Sequence, residues 1–282
     1  MRNLLISATI VGLALTLTGC GGGGSTGSGA TREVLFIRSD SRLVARNELT
    51  GALRTIYDAG ADSLFSPRVS PDGTKILMGT GTAMVVINAD GTNPVNITGH
   101  YLGDWNADGT KIIAISLTNQ VASMNPDGTG VVNIFDGSAG GGMIDLDVNP
   151  AGTKVVFSSS PAGWPMIRTM NMDGSGVSAG LTPNTGEGND DARWSPDGQS
   201  LVYIRNFGGA RNVWSMNADG TGKTQLTNTT DTERVPVYRS DNSIVYVRDT
   251  PERQVWDMNE DGSGQAVLEA ITGENLNYLE VN

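Results

Sequence analysis

Residues 189–227 read NDDARWSPDGQSLVYIRNFGGARNVWSMNADGTGKTQLT, and this stretch decides the fold. Short runs rich in β-branched and aromatic residues alternate in it with turn residues, which is typical of β-strands. Asp-Gly between two such runs is a strong hairpin signal, because Asp and Gly tolerate the positive φ that hairpin turns need. The stretch therefore predicts four short antiparallel strands joined by turns.

The same pattern recurs along the whole chain. An Asn-x-Asp-Gly turn that ends in Thr or Ser follows a predicted third strand five times, with its aspartate at Asp90, Asp127, Asp173, Asp219 and Asp261, so that successive copies of this turn lie 37, 46, 46 and 42 residues apart. A second turn, Ser-Pro-Asp-Gly in its clearest copies, precedes an apolar strand at 70–73, 106–109, 149–152, 195–198 and 240–242. A period of about 40 to 45 residues is the signature of a propeller blade or another stacked repeat.

The two ends of the chain complement each other. Residues 33–38, 42–46 and 52–57 predict the second, third and fourth strands of a blade that lacks its first strand, and residues 277–282 resemble a first strand with nothing after it. We therefore expect an all-β, six-bladed β-propeller of four-stranded antiparallel blades over residues 33–282. Its C-terminal strand would join the N-terminal blade and close the ring without a free edge. Five blades with loose ends is the alternative.

One aromatic residue recurs just before the second turn, as Trp105, Trp194 and Tyr238. A large apolar side chain that occurs once per repeat is more typical of a packing anchor between blades than of a ligand platform.

The combination of Trp194-Ser-Pro-Asp-Gly198, Val213-Trp-Ser-Met-Asn217 and Gln225-Leu-Thr227 resembles the repeat of the TolB-like β-propellers, a six-bladed family of the bacterial envelope. The resemblance covers nearly all of residues 33–282. It implies the fold but leaves the function open, because propellers of this repeat type serve as docking surfaces, as accessory domains of peptidases and as polysaccharide lyases. TolB carries an α/β domain before its propeller, whereas we expect only a short linker here.

The N-terminal residues predict an address in the bacterial envelope. Residues 1–19 have the short apolar run of an export signal, too short for a membrane span, and Leu17-Thr-Gly-Cys20 resembles the lipobox of bacterial lipoproteins. We expect acylation of Cys20, for example with palmitate, followed by a flexible Gly/Ser linker to residue 32. Gly21, where an Asp would favour retention at the inner membrane, favours the outer membrane. We expect a monomer that touches the membrane only through this anchor.

Composition argues against several chemistries. A net charge of −11 with scattered basic residues disfavours nucleic acid as a partner. The chain has no Gly-x-Ser-x-Gly elbow motif of a serine hydrolase. It has one His, His100, and one Cys, which are too few ligands for a His/Cys zinc site. The Asp-Gly turns lack the spaced carboxylates of an EF-hand loop. We therefore assign no catalytic residue, no metal ligand and no cofactor, with Ca²⁺ in the tunnel as an unsupported option.

The remaining candidate site is the mouth of the central tunnel. The first strand of each blade borders this tunnel, and charged residues of both signs precede the aromatic anchor. These candidates are Arg68, Asp104, Asp145, Asp147, Asp190, Asp191, Arg193 and Arg234. Such a ring could capture a peptide terminus, a sugar or a cation, or its charges could simply pair with one another.

Two functions follow from this reading. The first is a non-enzymatic, membrane-tethered binding or scaffold lipoprotein that docks an envelope protein, or a cell-wall or glycan polymer, through a propeller face. The alternative is a glycan-degrading enzyme, a polysaccharide lyase or hydrolase, that uses Asp145, Asp191 and Arg68. The repeat type is similar to that of the oligogalacturonate lyases, which rely on several histidines where this chain has one.

Overall fold

The computed structural model describes residues 33–281 except positions 39, 48–49, 162, 185, 250–252 and 269–275. The predicted export signal (1–19) and the predicted lipidated Cys20 with its linker lie outside the described residues. The described chain is all-β, with a single 3₁₀ turn at Ser138–Gly140. None of its helical segments is long and apolar enough to cross a bilayer.

Twenty-three strands follow one another along the chain. They are β1 (Glu33–Arg38), β2 (Arg42–Asn47), β3 (Leu53–Asp58), β4 (Leu64–Val69), β5 (Lys75–Thr80), β6 (Ala83–Asn88), β7 (Val95–Thr98), β8 (His100–Trp105), β9 (Ile112–Ser116), β10 (Gln120–Met124), β11 (Val132–Asp136), β12 (Met143–Val148), β13 (Lys154–Ser159), β14 (Met166–Asn171), β15 (Gly188–Trp194), β16 (Ser200–Phe207), β17 (Ala210–Asn217), β18 (Thr224–Gln225), β19 (Thr232–Tyr238), β20 (Ile244–Asp249), β21 (Arg253–Met258), β22 (Ala266–Val267) and β23 (Leu276–Val281).

The strands form consecutive antiparallel sheets, because each short turn leads a strand back beside its predecessor. The sheet orders are β23-β1-β2-β3, β4 to β7, β8 to β11 and β12 to β14, and the last sheet contains β15 to β22. Within that last sheet, β17 and β19 share one parallel pairing, Arg211 beside Thr232, which joins two antiparallel groups edge to edge. In the first sheet Phe36 of β1 pairs with Leu279 of β23.

The sheet of β12 to β14 departs from the expected four strands, because it has three. Residues 177–182 run beside β14, and the N–H groups of Ser178 and Leu181 donate to the carbonyls of Thr169 and Ile167. In return, however, the hydroxyl of Ser178 accepts from the Thr169 N–H and that of Thr182 accepts from the Ile167 N–H. Side-chain oxygens thus replace backbone carbonyls, so the segment satisfies β14 without forming a regular strand.

Each antiparallel group has a first strand that contacts the first strand of the next group, and we call these strands the inner strands. They are β4, β8, β12, β15 and, in the second group of the last sheet, β19. Each one has a register shift near its middle or its start. In β4, β15 and β19 the shift places Ser66, Asp191 and Val235 at φ +48°, +58° and +45°. A bulge of this kind redirects the side chains that follow it. Here these include Arg68 and Arg193.

The aromatic anchors pack between sheets, as predicted. Trp105, Trp194 and Tyr238 are almost completely buried, each in a hydrophobic cluster shared with the preceding sheet. The indole N–H of Trp105 donates to the carbonyl of Arg68 at 3.0 Å, and that of Trp194 to the carbonyl of Asp147 at 3.3 Å. Each tryptophan therefore fastens its inner strand to the preceding one.

The recurring Asp-Gly turns also make contacts between sheets. Gly174 has φ +82°, and a Cβ added there would lie 1.8 Å from the carbonyl oxygen of Ile134, in the outer strand of the preceding sheet. The same close approach occurs between Gly91 and Ile56, at 2.0 Å. The Asp173 carboxylate accepts from the backbone N–H and the hydroxyl of Ser175 within its own turn. The repeat thus needs glycine for the turn and for sheet packing alike.

Candidate functional site

The structure separates the eight predicted site residues along the inner strands. Four of them occupy the same repeat position, the last but one residue of the inner strand, directly before the anchor position. They are Arg68 in β4, Asp104 in β8, Asp147 in β12 and Arg193 in β15. Asp190 in β15 and Arg234 in β19 lie nearer the start of their strands, while Asp145 in β12 and Asp191 in β15 share a position near the middle. The sequence analysis placed all eight at one mouth of the tunnel. In the structure they lie at different levels, some near the starts and others near the ends of the inner strands.

Arg68 is the centre of a buried charge network. Its side chain is fully inaccessible to solvent and reaches past β8 to β12, where Nη1 donates to Asp147 Oδ1 at 3.1 Å and Nη2 donates to the Leu146 carbonyl at 2.8 Å. Its Nε lies 3.8 Å from Asp104 Oδ1. One guanidinium therefore links the inner strands of three successive sheets.

The carboxylates of this network also hold backbone N–H groups. Asp104 Oδ2 accepts from the Val148 N–H at 2.9 Å, and Asp147 Oδ2 accepts from the Trp194 N–H at 2.9 Å. Asp145 accepts from the Ser158 N–H through one oxygen and from the Asp191 N–H, at 2.7 Å, through the other. In all three cases a carboxylate connects its own inner strand to the next. Arg68 thus pairs with Asp147 and Asp104, whereas Asp145 is held by backbone N–H groups.

Burial changes the ionisation of these groups. It raises the pKa of Asp147 to about 6, although the Arg68 guanidinium acts in the opposite direction. Burial, reinforced by the neighbouring Asp190 charge, raises the pKa of Asp191 to about 8. Burial also raises the pKa of Asp145. In all three carboxyls burial thus favours the protonated form.

Arg193 has a different environment from Arg68. Its side chain is buried, and its Nη1 donates to the carbonyl of Ala192, the residue before it. Its Nε and Nη2 have no hydrogen-bond partner in the described part of the chain. Burial lowers the pKa of Arg193 to about 10, and the like charge of Arg68 contributes. The group stays cationic at neutral pH with two N–H positions unused.

A cavity of about 330 Å³ opens where the inner strands end, and we call it the turn cavity. Its lining consists of residues 69–71, 104–107, 147–150 and 193–196 together with Tyr238 and Ser240. Asp104, Asp147 and Arg193 of the predicted site line this cavity, whereas Arg68 is buried behind it and Asp145, Asp190, Asp191 and Arg234 do not line it.

Ion pairs surround the other mouth, where the inner strands start. Arg211 makes a two-point pair with the Asp190 carboxylate, at 3.1 and 2.7 Å. Arg234 and Arg253 both approach the Asp249 carboxylate, each at 2.8 Å. The three arginine side chains are partly exposed, so a partner could reach them. Of the predicted set at this end, Arg234 is partly exposed, whereas Asp190 is buried and paired with Arg211.

His100, the single histidine of the sequence, makes a local contact. His100 is half-buried at the start of β8, and its Nδ1 lies 3.4 Å from the carbonyl of Thr98 in the same turn. Within the described residues no three His, Cys, Asp or Glu side chains are grouped closely enough to hold a metal ion.

Comparison with known families identifies the repeat. The family model described as the TolB β-propeller domain matches residues 44–277. The chain belongs to the TolB β-propeller family. No curated protein has a sequence that matches it.

Solved structures show the same propeller fold as this TolB-family chain. A TolB-type protein from Agrobacterium tumefaciens has 15% identity and a TM-score of 0.71, covering 89% of this chain and 98% of that one. TolB from Acinetobacter baumannii has 18% identity and a TM-score of 0.73, covering 89% of this chain and 66% of that one. Oligogalacturonate lyase from Vibrio parahaemolyticus has 13% identity and a TM-score of 0.55, covering 84% and 72%. Such low identities show the fold alone.

The TolB-family propeller also has a feature that sequence reasoning missed. Six large apolar side chains are exposed among the described residues, and three of them share one side of the fold, Leu117 at 53%, Trp164 at 46% and Phe207 at 63%. They lie in the connections β9–β10, β13–β14 and β16–β17, on the side where the inner strands of three successive sheets start. We call them the apolar arc. Trp164 between Gly163 and Pro165, in a turn where polar residues are usual, was the signal available in the sequence.

Proposed function

We propose that this protein is a non-enzymatic binding module of the bacterial cell envelope that docks another envelope protein through the mouth bearing the apolar arc. The observation that carries the proposal is the exposure of Leu117, Trp164 and Phe207 on one side of three successive sheets. Aromatic and arginine side chains are enriched in the centres of protein interfaces, and Arg211 and Arg234 lie at the same mouth. Exposed apolar groups in such a setting mark an interaction surface.

The buried network argues against the alternative of a glycan-degrading enzyme. A lyase or hydrolase needs an acid or base that can reach its substrate. Asp145 and Arg68 are completely inaccessible, and both oxygens of Asp145 already accept backbone hydrogen bonds. Two of the three residues proposed for that chemistry, Asp145 and Arg68, are thus committed to holding inner strands together. The third, Asp191, is also buried, although both of its oxygens lack a hydrogen-bond partner in the described part of the chain.

A closed ring of six blades is part of the proposal. The pairing of β23 with β1 supports it, as do the contacts of β23 with both β19 and β4, which extend the succession of inner strands back to its beginning. Closure of this kind removes the free sheet edges that otherwise promote aggregation. The ring presents its two mouths as separate surfaces.

Membrane tethering through Cys20 is a further part of the proposal, supported by the lipobox-like Leu17-Thr-Gly-Cys20. We expect Cys20→Ser to abolish incorporation of labelled palmitate and to leave a product that retains residues 1–19, because cleavage follows acylation. Gel mobility, mass spectrometry and membrane fractionation measure both effects. Gly21→Asp is the matched control, and it should keep the label while moving the protein from the outer to the inner membrane. Unchanged labelling in Cys20→Ser would exclude the anchor.

The docking surface is tested by affinity capture from envelope extract, with the full chain in mild detergent as bait. We expect Trp164→Ser/Phe207→Ser to lose at least about tenfold of the captured partner, because removing aromatic anchors typically costs 2 kcal/mol or more in binding. Quantitative mass spectrometry of the captured proteins measures the loss.

Val131→Ser/Val132→Ser is the control for that experiment. These two valines are exposed to 49% and 59%, close to the values of Trp164 and Phe207, but they lie at the outermost strand β11. Equal capture by both double variants would place docking elsewhere on the ring. Absence of any partner that depends on Trp164 and Phe207, with binding to cell-wall or glycan fractions instead, would overturn protein docking in favour of an envelope polymer.

A further inference from the structure

The turn cavity contains an unused guanidinium edge. Arg193 lines the cavity and is 2% exposed, and its Nε and Nη2 make no hydrogen bond in the described chain. In a guanidinium these two nitrogens direct parallel N–H bonds to one side, which is the geometry that pairs with both oxygens of a carboxylate. Buried donors are normally satisfied, so this edge calls for a partner.

A second unused donor lies in the same cavity. Tyr238 is 5% exposed, lines the cavity, and its hydroxyl has no partner among the described residues. At the equivalent position of earlier sheets, Trp105 and Trp194 donate their indole N–H to the preceding inner strand. Burial raises the pKa of Tyr238, so its hydroxyl stays protonated and can donate. The Tyr238 hydroxyl is thus a donor without an acceptor at a repeat position where the tryptophan N–H groups bond to the preceding strand.

The neighbouring acids leave this edge without a hydrogen bond, but they do act on its charge. Burial lowers the pKa of Arg193, and the charges of Asp147, Asp145 and Asp191 oppose that effect. Asp147 accepts from Arg68 through one oxygen and from the Trp194 N–H through the other. Asp104 accepts from two backbone N–H groups, those of Trp105 and Val148. Neither carboxylate makes a salt bridge to Arg193 within 4 Å. The two N–H positions of the fork therefore remain without an acceptor in the described chain, and an anion needs a small movement of the cavity wall to reach them.

The remaining walls restrict what such an anion can be attached to. They are mainly apolar, with Trp105, Trp194 and three prolines, Pro71, Pro150 and Pro196. A volume of about 330 Å³ lies at the lower limit for small-molecule sites. The cavity thus suits a carboxylate on a compact apolar body.

We infer that the turn cavity binds a carboxylate group carried by a compact apolar body, with Arg193 holding both oxygens and the Tyr238 hydroxyl as a further donor. A small monocarboxylic acid and the C-terminal residue of a peptide share this chemistry. The site lies at the mouth opposite the apolar arc, and so it goes beyond the proposed docking function and does not depend on it.

Isothermal titration of the full chain in detergent tests the inference with four probes. They are propionate, N-acetyl-alanine, N-acetyl-alanine amide and the peptide acetyl-Gly-Gly-Ala with a free C-terminus. We expect the three acids to bind and the amide, which lacks the charge, not to bind. If the peptide binds at least about tenfold more tightly than propionate, the source is a peptide C-terminus, and comparable affinities indicate a small acid.

Two variants locate the binding. Arg193→Met should lower affinity for N-acetyl-alanine about 10- to 100-fold, because hydrogen bonds to charged groups are the strong ones. Because this variant also removes a charge that acts on the buried Asp145 and Asp147, its melting temperature is measured first, and if it does not fold Tyr238→Phe decides the test. Tyr238→Phe removes the hydroxyl alone and should weaken binding severalfold. Arg42→Met, at an exposed arginine of the first sheet, is the control and should bind like the unaltered protein.

Three results would overturn the inference: equal binding of the acid and its amide, unchanged affinity in Arg193→Met, or no heat with any acid up to millimolar concentration. The last result would leave the cavity as a water-filled chamber. Trp164→Ser/Phe207→Ser should bind N-acetyl-alanine normally, so loss of partner docking and loss of carboxylate binding are observed separately.

Discussion

Replacement of Arg68 by Met is expected to destabilise the protein by about 3 to 5 kcal/mol, the usual cost of removing one member of a buried ion pair. The guanidinium is fully buried and donates to both Asp147 and the Leu146 carbonyl. Without it the Asp147 carboxylate keeps only its bond from the Trp194 N–H, and the inner strands of three sheets lose their common link. Urea unfolding followed by tryptophan fluorescence measures the change in the free energy of unfolding.

The loss should be smaller at low pH. Burial raises the pKa of Asp147 to about 6, and removing Arg68, which lowers that pKa, raises it further. A carboxyl whose pKa is higher in the folded than in the unfolded protein contributes stability below its unfolded pKa and loses it as the pH rises through the folded value. The variant therefore recovers stability when Asp147 is protonated, and the difference from the unaltered protein should be smaller at pH 5 than at pH 8.

Arg42→Met is the matched control for this experiment. Arg42 pairs with Asp58 at 2.9 Å, but both side chains are about half exposed, so solvent screens the pair. Its removal should leave the free energy of unfolding unchanged within error at either pH. Similar losses in the two variants, or a larger loss for Arg68→Met at pH 5 than at pH 8, would contradict the role given to the buried network.

Gly174→Ala is expected to destabilise the protein by about 2 to 5 kcal/mol. The left-handed conformation at φ +82° costs an alanine about 1 to 2 kcal/mol, and overpacking adds about 1 to 3. The overpacking arises because the new methyl group would lie 1.8 Å from the Ile134 carbonyl oxygen, which belongs to a paired strand and cannot move freely. Thermal and urea unfolding measure the loss.

Other glycines provide graded controls. Gly208 has φ +62° and no atom within 4 Å of the added Cβ, so Gly208→Ala should show the conformational cost alone, about 1 to 2 kcal/mol. Gly220→Ala should fall between the two, because its nearest atom is a Leu181 side-chain carbon at 3.1 Å. If Gly174→Ala costs no more than Gly208→Ala, the contact between the turn and the preceding sheet is not what requires glycine.

The repeated features of this fold could be predicted because local physics determines them. Hairpin turns follow from Asp-Gly, strands from alternating β-branched and aromatic runs, and the burial of Trp105 and Trp194 from their place in every repeat. The irregular segment that replaces a fourth strand beside β14 was harder to predict. There the hydroxyls of Ser178 and Thr182 substitute for carbonyls, and this depends on side-chain geometry that a repeat count does not contain.

The charged residues show what sequence alone does not determine. Arg68 and Arg193 occupy the same position of the repeat, yet Arg68 pairs with Asp147 while Arg193 retains a free edge. The difference depends on which residues of the neighbouring inner strands lie beside each position, and such contacts have no fixed spacing along the chain. The prediction of a charged tunnel mouth located Asp104, Asp147 and Arg193 in one cavity, but it also included Asp145, which is entirely buried.

The pairing of β23 with β1 has a consequence for biosynthesis. Phe36 is translated about 240 residues before its partner Leu279, so one edge of β1 stays unpaired while the intervening chain is made. At about 5 to 20 residues per second, that interval lasts roughly 10 to 50 s. A polypeptide that stops short of β23 keeps this edge exposed and offers it to other chains. Pairing of β23 with β1 therefore distinguishes chains that contain β23 from truncated ones, whose β1 edge remains open to aggregation.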